Sequence, residues 1–479
     1  EFTDPEVHKE LLNATDDGGD NILSRKRRSE SRELHLEVLV VADSKMASYH
    51  GRNLNHYILT LMSTVALIYK DPSIGNNINI AVVDIVVLDE ATDRKIIDPF
   101  APHTLRNFCK WQERHNRLDD RDPAHYDTAI LITREDLCKH HGSCDTLGLA
   151  QSGLVCHPLN SCAIIEDNGL SAAFTIAHEL GHVMSLQHDD DSKCSKPANG
   201  EKKLHVMARM LDYNSNPWTW SECSRQQLTS FFDGRHGRCL IDKPSRNLLL
   251  QDDEFLQPPG QLYPRDRQCE LVFGPRSRIC PYMPECKRLW CTMDDATQGG
   301  CRTQHMPWAD GTQCSETKRC FQGECVRYRP ANLTPRDGQW GKWKPYGDCS
   351  RTCGGGIQQA VRECNSPKPA NGGRYCTGIR VKYKSCNTGE CPPDSRDFRE
   401  QQCSEFDGND LNLPGLPSSV RWVPQYTGRA AAVWESSHIW EQWEGILNEQ
   451  QFSAVSSAIL LMNGYQFFEK EAEIVLLEC

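Results

Sequence analysis

The chain has no apolar run long enough to cross a membrane. Its longest, AVSSAILLM at 454–462, falls well short of the roughly 20 residues that a spanning helix needs. An excess of positive charge is missing too. Against 54 Lys and Arg stand 65 acids, a net charge of -11, which argues against nucleic acid as a general partner. No secretory signal stands at the start. The opening EFTDPEVHKE leads to the expectation that the chain begins inside a longer precursor. Length alone sets a prior of about three domains.

Cysteine, by contrast, is abundant. Twenty-four of them, clustered along the chain, imply a disulfide framework and an oxidising compartment. Acceptor tripeptides for N-linked glycans at Asn13 and Asn332 fit secretion. The first thirty residues are polar and acidic, and near their end stands the run Arg25-Lys26-Arg27-Arg28. In a secreted chain, just ahead of the first strand, such a run reads as a furin-type proprotein convertase site cut after Arg28. The plainer alternative is a solvated basic tail.

Four apolar segments organise the first domain. LHLEVLVVA at 34–42, INIAVVDIVVL at 78–88 and DTAILIT at 127–133 read as strands, and Asn53 to Lys70 carries helical spacing. Helix-length segments between the strands predict an α/β fold with a mainly parallel sheet. Eight cysteines fall between Cys109 and Cys239, and spacing alone cannot choose their pairing. Glu37 intrudes in an apolar strand and Asp242 follows Cys239. Buried carboxylates are costly unless a cation or Arg neutralises them. Hard oxygen donors suit calcium, with ordinary salt bridges and caps as the alternative.

The densest chemistry lies in AHELGHVMSLQHDD, Ala177 to Asp190. On a helix, expected from about Ser171 to Met184, His178 and His182 project from one face about one turn apart. His188 comes six residues later and can join them only if the helix ends and the chain turns back. Three imidazoles with a fourth position left open, and Glu179 as general base, are the needs of a catalytic zinc. The long form of this pattern usually has glycine at the turn. Here Ser185 stands there, where a positive φ is costly for a residue with a Cβ.

HELGHVMSLQHDD, followed by HVMARML at 205–211, resembles the metalloproteinase domain of the ADAMTS family (a disintegrin and metalloproteinase with thrombospondin motifs). The resemblance implies an α/β metzincin zinc-protease domain over 29–244, after the end of a pro-segment at 1–28. It implies zinc held by His178, His182 and His188, Glu179 as the catalytic base, and Met207 as the Met-turn beneath the metal. Asp189 matches the family's Asp after the third histidine. The implied disulfides are Cys109–Cys162, Cys138–Cys144, Cys156–Cys239 and Cys194–Cys223. One implied calcium region uses Glu37, Asp120, Asp242 and the Cys239 carbonyl. A second uses Asp136, Glu166 and the carbonyls of Leu137, Cys144 and Thr146.

Residues 245–260 read as a linker. The cysteine-dense stretch 261–326 resembles the family's disintegrin-like domain, a small module dependent on disulfides; it has no Arg-Gly-Asp, so integrin binding does not follow. Residues 337–391, with WGKW and CSRTCGGG, resemble a thrombospondin type 1 repeat. Its Trp340 and Trp343 would stack with cations such as Arg362. The family pattern implies O-fucose on Thr352 and C-mannose on Trp340. Residues 395–428 look like the start of a cysteine-rich domain. The tail 429–479 carries no recognisable pattern, and Cys403 and Cys479 lack obvious partners.

The implied function is that of a secreted zinc endopeptidase of the extracellular matrix, with hyaluronan-binding proteoglycans of the versican and aggrecan class as substrates. Procollagen processing is the alternative within the same chemistry. A matrix-adhesive protein with an inactive protease domain is the rival from another class. The repeat at 337–391 holds nine Lys and Arg against four acids. Arg380, Lys382 and Lys384 alternate with apolar residues, so on a strand they share one face. That face is expected either to bind sulfated glycosaminoglycans or to complete the aromatic–cation stack.

Overall fold

The computed structural model describes residues 30–139, 143–192, 194, 204–210, 212, 214–234, 236–251, 257–292, 300–327, 334–395, 398–404, 407, 421–423 and 432–433. The first domain runs β1 (Glu30–Ser31), β2 (Glu33–Ala42), α1 (Ser44–His50), α2 (Leu54–Tyr69), β3 (Asn77–Val87), α3 (Glu90–Ile96), α4 (Ala101–His115), β4 (Thr128–Thr133), β5 (Gly148–Ala150), β6 (Cys162–Glu166), α5 (Ala172–Val183) and α6 (Glu222–Asp233). Five strands form one sheet in the order β3-β2-β4-β6-β5. The first three pairings are parallel and β5 joins antiparallel.

Alternation along β2 explains the layering. Leu36, Val38 and Val40 enter a core with Tyr57, Ile58 and Leu61 of α2 and Ile176 and Leu180 of α5. Leu39 and Val41 face the other way, onto Leu105 and Phe108 of α4. Helices therefore cover both faces of the sheet, and the inner strands are buried throughout, as parallel sheets require.

The stretch expected to be a linker packs against its neighbours at both ends. Leu249 is buried in the protease core, Asn247 accepts a hydrogen bond from the Val82 amide at 3.2 Å, and Pro259 and Gly260 are buried. An Leu-Leu-Leu run inside an otherwise polar segment is the apolar anchor that makes the difference. The next module is built on α7 (Arg265–Phe273), a three-stranded sheet of β7 (Arg278–Ile279), β8 (Cys291–Thr292) and β9 (Cys301–Arg302), and another of β10 (Gln313–Ser315), β11 (Lys318–Phe321) and β12 (Glu324–Arg327). Its small core holds Leu289, Met306 and Trp308 among four cysteines. The thrombospondin-type module pairs β13 (Gly356–Val361) with β15 (Val381–Cys386), and β14 (Gly378–Ile379) lies just ahead of β15.

All four disulfides implied for the first domain are present: Cys109–Cys162, Cys138–Cys144, Cys156–Cys239 and Cys194–Cys223. Cys403 is disulfide-bonded as well. Arg28, Asn13, Asn332, Cys479 and nearly all of the tail after 428 lie outside the described residues.

Candidate metal centre and catalytic site

α5 exists because its apolar residues recur at helical spacing. Ala172, Ala173, Ile176, Ala177, Leu180 and Val183 are buried against the sheet, which turns His178 and His182 toward the opposite side. The helix ends at Val183, with Met184 as its cap. Ser185 adopts φ 73°; its N–H donates to the His182 carbonyl at 2.8 Å, and the Leu186 N–H donates to the Gly181 carbonyl at 3.0 Å. This pair of bonds is a Schellman turn. A left-handed residue with a Cβ costs roughly 1–2 kcal/mol, opposed here by both hydrogen bonds and by the full burial of Leu186. The turn returns His188 to within 4.6 Å of His182 and 5.2 Å of His178, ring centre to ring centre.

One ligand atom from each of the three histidines lies within 4.8 Å of the others. His178 Nδ1 faces the Val206 carbonyl and His182 Nδ1 the Leu186 carbonyl, both at 2.8 Å. With Nδ1–H donating, the Nε2 lone pairs are left for the centre. Burial, reinforced by the charge of His182, pushes His178 down to about 3 and His188 to about 4. Burial also lowers His182. The three rings are therefore neutral, which is the ligating form. This donor set fits zinc.

Glu179 is buried beside them, and desolvation raises its carboxyl to about 8, opposed by the charge of Lys139. It lies against Gly148 of β5, the edge strand of the sheet. A Cβ at Gly148 would sit 2.6 Å from Glu179 Oε1. Glycine is thus needed there for close approach, a role that the sequence reading missed; a lone Gly in a short strand was its only signal. On the far side Met207 is fully buried, with its Sδ 2.6 Å from where a Gly181 Cβ would be. Asp189 ties the returning loop to the Met207 segment. Its N–H donates to the Met207 carbonyl at 3.0 Å, and its Oδ2 accepts the His205 N–H at 2.8 Å.

Comparison with known proteins places this arrangement. Residues 34–244 match the reprolysin (M12B) family of zinc metalloproteases, 259–326 the ADAMTS cysteine-rich domain 2, and 341–391 the thrombospondin type 1 domain. The chain is 52% identical over 427 residues to mouse "A disintegrin and metalloproteinase with thrombospondin motifs 20", covering 89% of this chain and 22% of that protein. It is 51% identical over 425 residues to the gon-1 protein of the same description from Caenorhabditis elegans, covering 86% and 20%. With the mouse protein "A disintegrin and metalloproteinase with thrombospondin motifs 1" it shares 48% over 411 residues, covering 84% and 42%. The chain belongs to the ADAMTS family. It spans between about a fifth and two fifths of the length of these relatives.

The ADAMTS reading also implied calcium, and the structure gathers carboxylates in both regions. In the first, the Glu37 N–H donates to Asp127 Oδ2 at 2.9 Å, and the Asp127 N–H donates to the Glu37 carbonyl at 3.0 Å. Burial, then the charges of Asp242 and Asp120, push Glu37 up to about 7. Asp120 also meets His125 at 3.1 Å. The other oxygen of Asp127, Oδ1, is buried without a hydrogen-bond partner. Glu37, His125 and Asp127 present ligand atoms close together. Crowded acids with an orphaned oxygen fit a hard cation. Asp127 was absent from the sequence-derived set; its signal was an acid heading an otherwise apolar strand. Cys239 lies in the short helical turn Arg238–Ile241, packed on β2, just before Asp242.

In the second region Glu166 Oε2 accepts the Leu137 N–H at 2.9 Å. Burial pushes Glu166 up to about 7, with Asp136 and Asp167 repelling it. The Cys138–Cys144 bridge closes the adjoining loop, and Thr146 is half-buried between that loop and β5.

In the thrombospondin-type module, Arg362 lies over Trp340 at 4.7 Å and over Trp343 at 4.6 Å. Lys382 lies over Trp343 at 4.7 Å, and Lys384 lies over Tyr346 at 4.3 Å. The Trp340 indole N–H donates to the Thr377 carbonyl at 2.7 Å, and Thr352 is exposed. The expected face of three cations is reduced to two. Arg380 falls between β14 and β15, where regular pairing breaks, and its guanidinium pairs with Asp233 of the protease domain.

Proposed function

We propose that the chain is a secreted zinc endopeptidase of the extracellular matrix that cleaves hyaluronan-binding proteoglycans of the versican and aggrecan class. The observation that carries this reading is a cradle of three neutral, oriented imidazoles beside a buried carboxylate. An adhesive protein with an inactive protease domain would have no need to keep Glu179 or its glycine seat. Procollagen processing uses the same chemistry and differs only in substrate.

Held by His178, His182 and His188, zinc supplies Lewis-acid polarisation of the scissile carbonyl and lowers the pKa of water towards ~7. Glu179 takes the proton from the attacking water and delivers it to the leaving nitrogen. The Val206 and Leu186 carbonyls hold the imidazoles in the ligating tautomer. β5, at the sheet edge, offers a backbone against which an extended peptide can lie. Glu37, Asp120, Asp127, Asp242 and the Cys239 carbonyl would hold one calcium, and Asp136, Glu166 and the carbonyls of Leu137, Cys144 and Thr146 another, and the bound ions would neutralise acids that otherwise repel one another.

A proprotein convertase cutting after Arg28 releases the mature chain. An N-glycan on Asn332, O-fucose on Thr352 and C-mannose on Trp340 complete the mature form, while a glycan on Asn13 leaves with the released pro-segment. Sulfated glycosaminoglycans meet Lys382 and Lys384, concentrating the enzyme on proteoglycans by salt-screened attraction.

One comparison tests the reading: cleavage of an intact proteoglycan and of a short uncharged peptide, with and without a zinc chelator, by wild type and by a Lys382→Ala, Lys384→Ala double variant. The chelator should stop both reactions, while the double variant should slow only the proteoglycan. Chelator-resistant cleavage would end the zinc assignment, and equal slowing of both substrates would end the glycosaminoglycan role.

A further inference from the structure

Two residues past Arg28, the chain pairs with the thrombospondin-type module. β1 pairs antiparallel with β14, Glu30 opposite Ile379 and Ser31 opposite Gly378, and Ser31 is buried. The next module residue, Arg380, holds Asp233 at the end of α6, with the two side chains only 17% and 30% exposed. Other contacts join the same two modules. Gly372 lies against Leu67, close enough that a Cβ would come within 3.3 Å of Leu67 Cδ2. Lys70 lies within electrostatic reach of Asp337 and Arg374, and Arg225 within reach of Tyr375 and Glu363. Ser31, Leu67, Lys70, Arg225 and Asp233 of the protease domain thus meet module residues Asp337, Glu363 and 372–380.

A protease takes its substrate as an extended strand through the bond it cuts. For cleavage after Arg28, Ser29 and Glu30 are the first two residues beyond that bond. The backbone of Glu30 cannot pair with Ile379 and lie in a convertase cleft at once. We propose that seating of the thrombospondin-type module on the protease domain and convertase cleavage after Arg28 exclude each other, so that the module gates its own chain's processing. This rests on the reading of the basic run as a convertase site.

Arg380 and Asp233 are the handle for a test, because reversing either charge replaces attraction by repulsion. Unprocessed full chain would be incubated with a furin-type convertase as wild type, Arg380→Glu, Asp233→Arg and the double reversal. Hydrogen exchange at the amides of 30–31 and 378–379 would be followed in parallel. If opening is fast relative to cutting, the cleavage rate follows the open population. Loss of a partly buried ion pair should then speed cleavage roughly fivefold in each single variant. The double reversal should return the rate towards wild type. Faster exchange in Arg380→Glu with an unchanged cleavage rate would overturn the gating. Loop-like exchange at 30–31 in wild type would overturn the docking itself. No cut after Arg28 in any variant would remove the processing reading and the gate with it, while the exchange data still decide whether the module docks.

Discussion

The zinc cradle and the Glu37 cluster solve opposite problems with the same tool, burial. Loss of solvent pushes His178 down to about 3 and His188 to about 4, and lowers His182 as well, leaving neutral donors that need no counter-charge. Around Glu37, loss of solvent pushes a carboxyl up to about 7, and the neighbouring acids worsen the repulsion. The first site needs no ion to offset charge within it. The second crowds acids whose repulsion the proposed calcium would relieve. Metal at the cradle should therefore decide activity, and metal at the cluster should decide stability.

The sharpest break of this contrast is His182→Ala. It removes a donor and an Nδ1 tether, so zinc affinity should fall by more than the ~100-fold that loss of a supporting partner alone can cost. Metal analysis of the folded protein should find no zinc while calcium-dependent stability persists. Retained zinc would show that His182 is not a ligand.

Next comes Gly148→Ala, which leaves all three imidazoles untouched. The new Cβ would meet Glu179 Oε1 and displace the base. A shift on the order of 1 Å in a catalytic group can cost ~10²-fold, so kcat/KM on a peptide should fall by about that factor with zinc content unchanged. Unaltered kcat/KM would mean that Glu179 has room to move without consequence.

The cluster predicts a different response. At about a hundredfold excess over its Kd, calcium should stabilise the fold by about 2.7 kcal/mol, read as a rise in Tm. Glu37 and Glu166, each at about 7 without a cation, are raised above their usual 4.5. In the metal-free chain these groups lower stability as pH rises from 4.5 through 7, because the folded state holds the protons more tightly. Calcium binds the ionised carboxylates, so its stabilisation should be larger at pH 8 than at pH 5. A calcium effect independent of pH would contradict the assignment of these acids.

The two sites also differ in how far the sequence announced them. The cradle comes from one helix and its turn, all within Ala177 to Asp190, so spacing alone was sufficient to find it. The cluster is gathered from β2, the loop before β4 and the segment after Cys239. No local pattern joins Glu37 to Asp127, and Asp127 was read simply as the head of a strand. Gly148 was missed for the same reason, since its need arises only where β5 touches α5. The parallel sheet was legible because its strands are apolar on both faces. The packing of Leu249 and the diversion of Arg380 to Asp233 were not, because both depend on a partner distant in sequence.

The smallest effect tests the turn that completes the cradle. Ser185→Gly removes left-handed strain but adds chain entropy to the unfolded state. A net stabilisation of roughly 0.5–1 kcal/mol with unchanged activity is expected. Destabilisation would mean that the Ser185 side chain, which lies near Gly153, is held there by interactions stronger than the strain.

Glu179→Gln tests the central division of labour most directly, with zinc content and peptide cleavage measured on the same preparation. If the three imidazoles hold the metal and Glu179 only moves the proton, zinc should remain at the wild-type level while cleavage falls at least ~10²–10⁴-fold, the range of general base catalysis. Cleavage at the wild-type rate, or loss of zinc along with activity, would contradict that account.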